Sequence, residues 1–265
     1  MIAAAVLGLG AVLALMAGVW VASLVREDAS LVDRFWGAGF ILVVAVYQAV
    51  AGAPAHGWLV VALVALWGGR LSLHLTRRSW GQGEDRRYRA LREAAGPAFR
   101  YRSLVTVFGL QGVLLWVISA PLLVAIAQPE PQGWLLHPVT LLGVAVFLLG
   151  WLYETVADAQ LARFRADPAN RGRVCREGLW RYSRHPNYLG EIVLWWGVWL
   201  LAVPASGWWT VLAPVLVTAS LLRVTGVPLL ERDLAQRLPG YADYQAQTPA
   251  LVPRPPGASP RRRER

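Results

Sequence analysis

Three pairs of polar residues interrupt the long apolar runs of this chain: Arg70 with His74, Glu154 with Asp158, and Asn187 with Glu191. Residues four apart lie one turn apart on the same side of a helix, so each pair forms one polar stripe. An ionisable group inside an apolar segment is costly unless it meets a partner or lines a cavity, and three stripes on one side of the expected membrane, at the ends of two segments and the start of a third, point to one pocket. Mutual pairing, for example Arg70 with Glu154, is the plainer use of the same residues. Arg77, Arg78, Arg163, Arg165, Arg181 and Arg184 crowd the same edge, in excess of what pairing needs. An arginine rim over a carboxylate pocket suits a ligand with phosphates at one end and a neutral hydrogen-bonding group at the other, and a nicotinamide dinucleotide has that form.

The richest stretch is Gly178 to Gly197, GLWRYSRHPNYLGEIVLWWG, where charged and aromatic residues run directly into an apolar helix. Pro186 fits the first turn of that helix, which has no use for the missing amide hydrogen. His185 stands at the cap with Arg184 beside it, and the unpaired amides of a helix start together with two basic side chains attract anions. A charged anchor at the end of a membrane helix is the bland account of the same residues. No glycine-rich dinucleotide fingerprint follows a strand, so any nucleotide site has to be built by helices and loops. The four histidines and the single Cys175 show no metal-ligand spacing, and one cysteine excludes an internal disulfide.

The elements that must carry these residues are membrane helices. Hydrophobic residues make up 56% of the chain, with 14 Trp and a mean hydropathy of +0.41, which places it among integral membrane proteins. The net charge of +10 does not signal nucleic acid, because the basic residues sit in loops between apolar spans. Every basic residue is Arg, which suits bidentate phosphate contacts and equally suits a GC-rich genome.

The apolar runs predict an all-α, multi-pass bundle of about seven spans, at residues 2–25, 35–51, 57–75, 104–127, 138–157, 188–203 and 208–222, within a single domain over 1–252. The first run is too long for a signal peptide and is read as a retained span. Polar loops are expected at Thr76–Arg102 and Ala159–Arg184. Loops after the first, third and fifth spans and the C-terminal tail hold nearly all the arginines; those after the second, fourth and sixth hold none. That alternation predicts the N-terminus outside and the C-terminus in the cytosol. Residues 228–238, with Leu230, Leu234 and Leu238 at helical spacing, predict an interfacial helix or a lid. The Pro- and Arg-rich tail, 253–265, is expected to be disordered and to touch anionic lipid. Two further motifs, Asp33-Arg34-Phe35-Trp36-Gly37 and Glu84-Asp85-Arg86-Arg87-Tyr88-Arg89, either close over a nucleotide or serve as a helix start and a solvated charge run.

The run Gly178-Leu179-Trp180, Ser183-Arg184-His185-Pro186-Asn187-Tyr188 and Gly190-Glu191 resembles the C-terminal signature of the membrane-bound steroid 5-alpha-reductase family, in particular its bacterial branch, to which the two motifs above also belong. The resemblance is good over about the last 120 residues and poor over the first three spans. It implies a seven-helix reductase holding NADPH at its cytosolic side. Arg78, Asp158, Arg165, Asn187, Tyr188 and Glu191 carry over as cofactor residues, with Glu154 where the steroid enzymes have Asn; Arg184 and His185 join them from the helix-start reading. The steroid enzymes also use a Glu on the second span and a Tyr at the end of the third. Here those places read Tyr47-Gln48-Ala49 and Leu75, and the candidate donors become Tyr47, Gln48 and His74. Hydride transfer to an enone needs such a donor where negative charge develops.

Two other readings stand beside this one. Arg184-His185-Pro186 followed by Tyr188 also resembles the isoprenylcysteine carboxyl methyltransferases, which implies S-adenosylmethionine in the same pocket. Those enzymes favour a Glu-Glu pair after the last span, where this chain has Leu230-Glu231. A non-catalytic protein that binds lipid or a partner is the third reading.

Overall fold

The computed structural model describes residues 1–129, 133–224 and 226–255, and every regular element among them is helical. Part of the loop at 128–133 and most of the 253–265 tail lie outside the described residues. In chain order the α-helices are α1 (Ile2–Arg26), α2 (Leu31–Arg34), α3 (Trp36–Val50), α4 (Gly57–Ser79), α5 (Arg86–Ala95), α6 (Phe99–Ser103), α7 (Leu110–Ile118), α8 (Ala120–Ala127), α9 (Pro138–Ala166), α10 (Pro186–Ala202), α11 (Leu212–Ala219), α12 (Val227–Arg237) and α13 (Tyr241–Gln247). Among the described residues, six helical stretches are long and apolar enough to cross a membrane: Ile2–Arg26, Gly57–Ser79, Arg86–Ile118, Pro138–Ala166, Pro186–Ala205 and Trp208–Arg237. The protein is thus a multi-pass helical membrane protein. The seventh apolar run, α3, has 15 residues and reaches only about 22 Å, short of the roughly 30 Å hydrocarbon core.

The chain divides into two compact units, Met1–Thr140 with Leu201–Ala213, and Leu141–Leu200 with Pro214 onward. Small residues bring helices together in the first. A Cβ on Gly37 of α3 would lie 2.2 Å from the Gly68 carbonyl oxygen of α4, and one on Gly8 of α1 would lie 2.4 Å from the Tyr47 ring of α3. Such close approach suits helices in lipid, which have no water-driven force to hold them together.

Several expected boundaries move. The loop expected at Thr76–Arg102 contains α5 and α6, because Asp85 caps α5 by accepting from the Arg87 amide at 2.9 Å and the residues after it are good helix formers. The span expected at 104–127 begins as a π-helical segment, Leu104–Gly109, and breaks at Ser119 into α7 and α8. Pro121 explains the break: its ring opposes the carbonyl four residues back and it has no amide hydrogen to offer. The loop expected from Ala159 starts later, since α9 runs on to Ala166 before Asp167-Pro168 stops it. The expected helix at 228–238 is α12, and α13 follows it without having been anticipated.

Candidate functional site

The second unit is built on α9 and α10. A Cβ on Gly197 would sit 2.5 Å from the Phe147 amide nitrogen, one on Gly150 2.4 Å from that of Leu194, and one on Gly190 2.5 Å from that of Glu154. Rising numbers on α9 meet falling numbers on α10, so the helices are antiparallel and nearly in backbone contact. Extending this register by one turn sets Asp158 level with Pro186 and Asn187. Two of the three polar stripes therefore meet at the start of α10. Glu154 and Asp158 are buried, 3% and 7% exposed, while Asn187, Tyr188 and Glu191 are half-buried. Arg165 lies exposed further along α9.

The chain entering α10 is tied down at each step. The Leu179 amide donates to Gln160 Oε1 at 2.9 Å, and Trp180 Nε1 donates to the Ala157 carbonyl at 2.9 Å. Gly178, at φ 54°, supplies the left-handed turn immediately before those contacts. The Tyr244 hydroxyl of α13 donates to the carbonyls of Trp180 and Ser183.

Arg184 and His185, expected beside a cofactor, are found on Glu231 of α12. Arg184 Nε and Nη2 grip the Glu231 carboxylate at 2.7 and 3.2 Å, and Nη1 donates to the carbonyls of Gln245 and Thr248. A guanidinium has five N–H groups, so these contacts leave one for another acceptor. His185 is 1% exposed; its Nε2 lies 2.8 Å from Glu231 Oε1, and its ring stacks on Tyr188 at 5.3 Å. Gln245 Nε2 donates to Glu231 Oε2 at 2.8 Å. With donors converging on both oxygens, Glu231 serves as a carboxylate, and the histidine Nε2 facing it carries the hydrogen. The segment after α13 then lies along the signature: the amides of Arg184 and His185 donate to the carbonyls of Pro249 and Ala250 at 2.9 and 3.1 Å, and the Arg254 amide donates to the Tyr182 carbonyl at 3.1 Å.

The remaining candidates lie in the first unit. Tyr47 is fully buried with its hydroxyl 2.8 Å from Ser119 Oγ. Because Ser119 gives its own hydrogen to the Trp116 carbonyl at 2.7 Å, Tyr47 is the donor in that pair. Gln48, also buried, donates from Nε2 to the Pro54 carbonyl at 2.9 Å. His74 is half-buried on α4, and Arg78 is exposed in its last turn.

The two motifs whose use was open from sequence find each other. Asp33 accepts from Arg87 Nη2 at 2.8 Å and from the Tyr88 hydroxyl at 2.6 Å. Glu84 accepts from Arg92 at 2.9 and 2.8 Å and from the Ala29 amide at 2.8 Å. Burial opposes ionisation of Glu84, but the Arg92 hydrogen bonds, joined by the Ala29 amide, outweigh it and hold the carboxyl below its ordinary value. These acids clamp the loop after α1 to the start of α5, and Gly37 at the end of the first motif permits the α3–α4 contact.

The contact of Glu231 with Arg184 and His185, the role of Gln245 and α13 itself were not anticipated. The sequence signals for Glu231 were its place among the polar residues interleaved with Leu230, Leu234 and Leu238 and its position where the isoprenylcysteine methyltransferases favour a Glu-Glu pair; neither pointed to Arg184. Among the described residues no group of three or more His, Cys, Asp or Glu is placed to hold a metal ion.

Residues 19–248 match the family described as protein of unknown function, DUF1295. The chain is similar, at 25% identity over 90% of its length and 76% of the relative's, to an uncharacterized protein of Schizosaccharomyces pombe. A shorter segment is 35% identical to 3-oxo-5-alpha-steroid 4-dehydrogenase 1 of Bos taurus, covering 29% of this chain and 30% of the relative. The same enzyme of Mus musculus matches at 32% over 29% of this chain and 30% of its own. The match thus spans under a third of the length of those two dehydrogenases. No solved structure matches the chain.

Proposed function

The chain belongs to DUF1295, a steroid 5-alpha-reductase-like family, and we propose that it is a membrane-embedded reductase passing hydride from NADPH to a carbon-carbon double bond of a hydrophobic, steroid- or isoprenoid-like substrate. The observation that supports this most is the register of α9 against α10, which gathers Glu154, Asp158, Asn187 and Glu191 at the start of α10 within one unit. The residues fit the cofactor in part. Buried carboxylates and Asn187 suit a carboxamide, and exposed Arg163, Arg165 and Arg181 suit phosphate. Arg184 is committed to Glu231 and to carbonyls, so we assign it to holding the site together.

When bound, NADPH supplies the hydride. The protein's own part is to bind and orient it at the cytosolic ends of α9 and α10, with Tyr188 packed on the buried His185. Reduction also needs an acid where negative charge develops on the substrate. The candidate donors are Tyr47, Gln48 and His74 of the first unit, and the Tyr47 hydroxyl gives its hydrogen to Ser119 Oγ in this structure. The site belongs on the cytosolic side of a cytoplasmic membrane, and the substrate arrives from the lipid.

Thermal unfolding of the detergent-purified protein tests the reading. NADPH at a hundred times its Kd adds about 2.7 kcal/mol of stability, and S-adenosylmethionine adds none. One observation favours a second reading: Glu231 lies against Arg184 and His185, where a methyltransferase of the isoprenylcysteine type uses acidic residues after its last span. Stabilisation by S-adenosylmethionine alone decides for that enzyme. A protein that responds to neither cofactor is a lipid- or partner-binding one.

A further inference from the structure

We propose that Glu231 is the positioning residue of this site: it fixes Arg184 and His185 and, through Arg184, holds residues 241–254 down along the entry to α10. Its effect on a bound cofactor rests on the reading above; its hold on the C-terminal segment does not. Glu231 sits on α12, nearly 50 residues after the signature, yet it receives Arg184 twice, His185 Nε2 and Gln245 Nε2. Arg184 and Glu231 are each only 12% exposed. Removing one member of such a pair leaves a buried charge without its counterpart, which costs far more than losing a surface pair.

The geometry makes the consequence specific. Arg184 bridges three elements, with its amide on Pro249, one guanidinium nitrogen on the carbonyls of Gln245 and Thr248, and the other two on α12. Without the carboxylate the guanidinium has no anion to fix its plane, and the carbonyls that close α13 onto the signature lose their donor. His185 loses the acceptor that orients its ring against Tyr188. The start of α10 and the C-terminal segment are therefore expected to loosen together while the α9–α10 glycine contacts stay intact.

The experiment compares wild type, Glu231→Gln and Arg184→Lys in detergent. Amide exchange is followed over residues 180–190 and 241–255, with 143–155 of α9 as an internal reference. Glu231→Gln keeps the shape and removes the charge; Arg184→Lys keeps the charge and removes the fork. Both variants are expected to exchange about tenfold faster in the two named segments and unchanged in α9, with NADPH affinity falling about tenfold. Wild-type exchange in the C-terminal segment of Glu231→Gln overturns the proposal, and so does acceleration throughout α9 in both variants, which marks general destabilisation. Faster exchange with undiminished NADPH affinity overturns the positioning role toward cofactor. If wild type binds no NADPH, the proposed function fails, and the exchange comparison still decides whether Glu231 holds the segment.

Discussion

Gly190 of α10 lies so close to Glu154 of α9 that a Cβ built on it would stand 2.5 Å from the Glu154 amide nitrogen. The obstruction is helix backbone, which cannot turn aside as a side chain can. Gly190→Ala is therefore expected to push the two helices apart and cost about 1–3 kcal/mol, the usual range for overpacking. Gly10 of α1 has nothing within 4 Å of its Cβ position, so Gly10→Ala serves as the control. Unfolding in detergent checks the pair, and equal midpoints for the two variants refute the close contact.

The clamp between Glu84 and Arg92 predicts a pH dependence. The Glu84 carboxyl is held below its ordinary value of 4.5, so the clamp's contribution is fully present above that pH and is lost as pH falls through the lower folded value. Glu84→Gln should be less stable than wild type at pH 7, and the gap should close as pH falls below about 4. A gap unchanged down to the acid limit of the detergent refutes the assignment.

The Tyr47–Ser119 pair predicts coupling in the first unit. Tyr47→Phe and Ser119→Ala should each cost about 1 kcal/mol, and the double variant less than the sum, because they remove one shared hydrogen bond. Once a substrate is in hand, a loss of turnover in Tyr47→Phe far beyond the loss in Ser119→Ala identifies the hydroxyl as the proton donor. Equal losses make it a packing residue.

Much of this arrangement was legible in the sequence because local rules set it. Hydrophobic runs and arginine-rich loops marked the helices, and the spacing of Glu154 with Asp158 and of Asn187 with Glu191 marked the stripes. What escaped were relations between distant residues. Glu231 and Arg184 are 47 positions apart, and nothing in the polarity of α12 tells which acid turns inward. Asp33 and Arg87 belonged to two motifs read separately, and only the fold shows that one clamps the other. The Ser119 break and the C-terminal extension of α9 to Ala166 escape a reading in which apolar length alone bounds each helix. Pro121 acts on carbonyls before it, and the polar residues after Asp158 are good helix formers beyond the hydrocarbon edge.

The start of α10, with the acids of α9 beside it, is proposed to hold a dinucleotide. Direct titration of the purified protein with NADPH, read by energy transfer from its tryptophans to the nicotinamide, tests it most directly. Saturable binding is predicted, weakened about tenfold or more by Asn187→Ala and by Glu191→Gln and unaffected by Gly10→Ala. Binding that is equally tight in all three variants, or no binding at millimolar NADPH, contradicts the account.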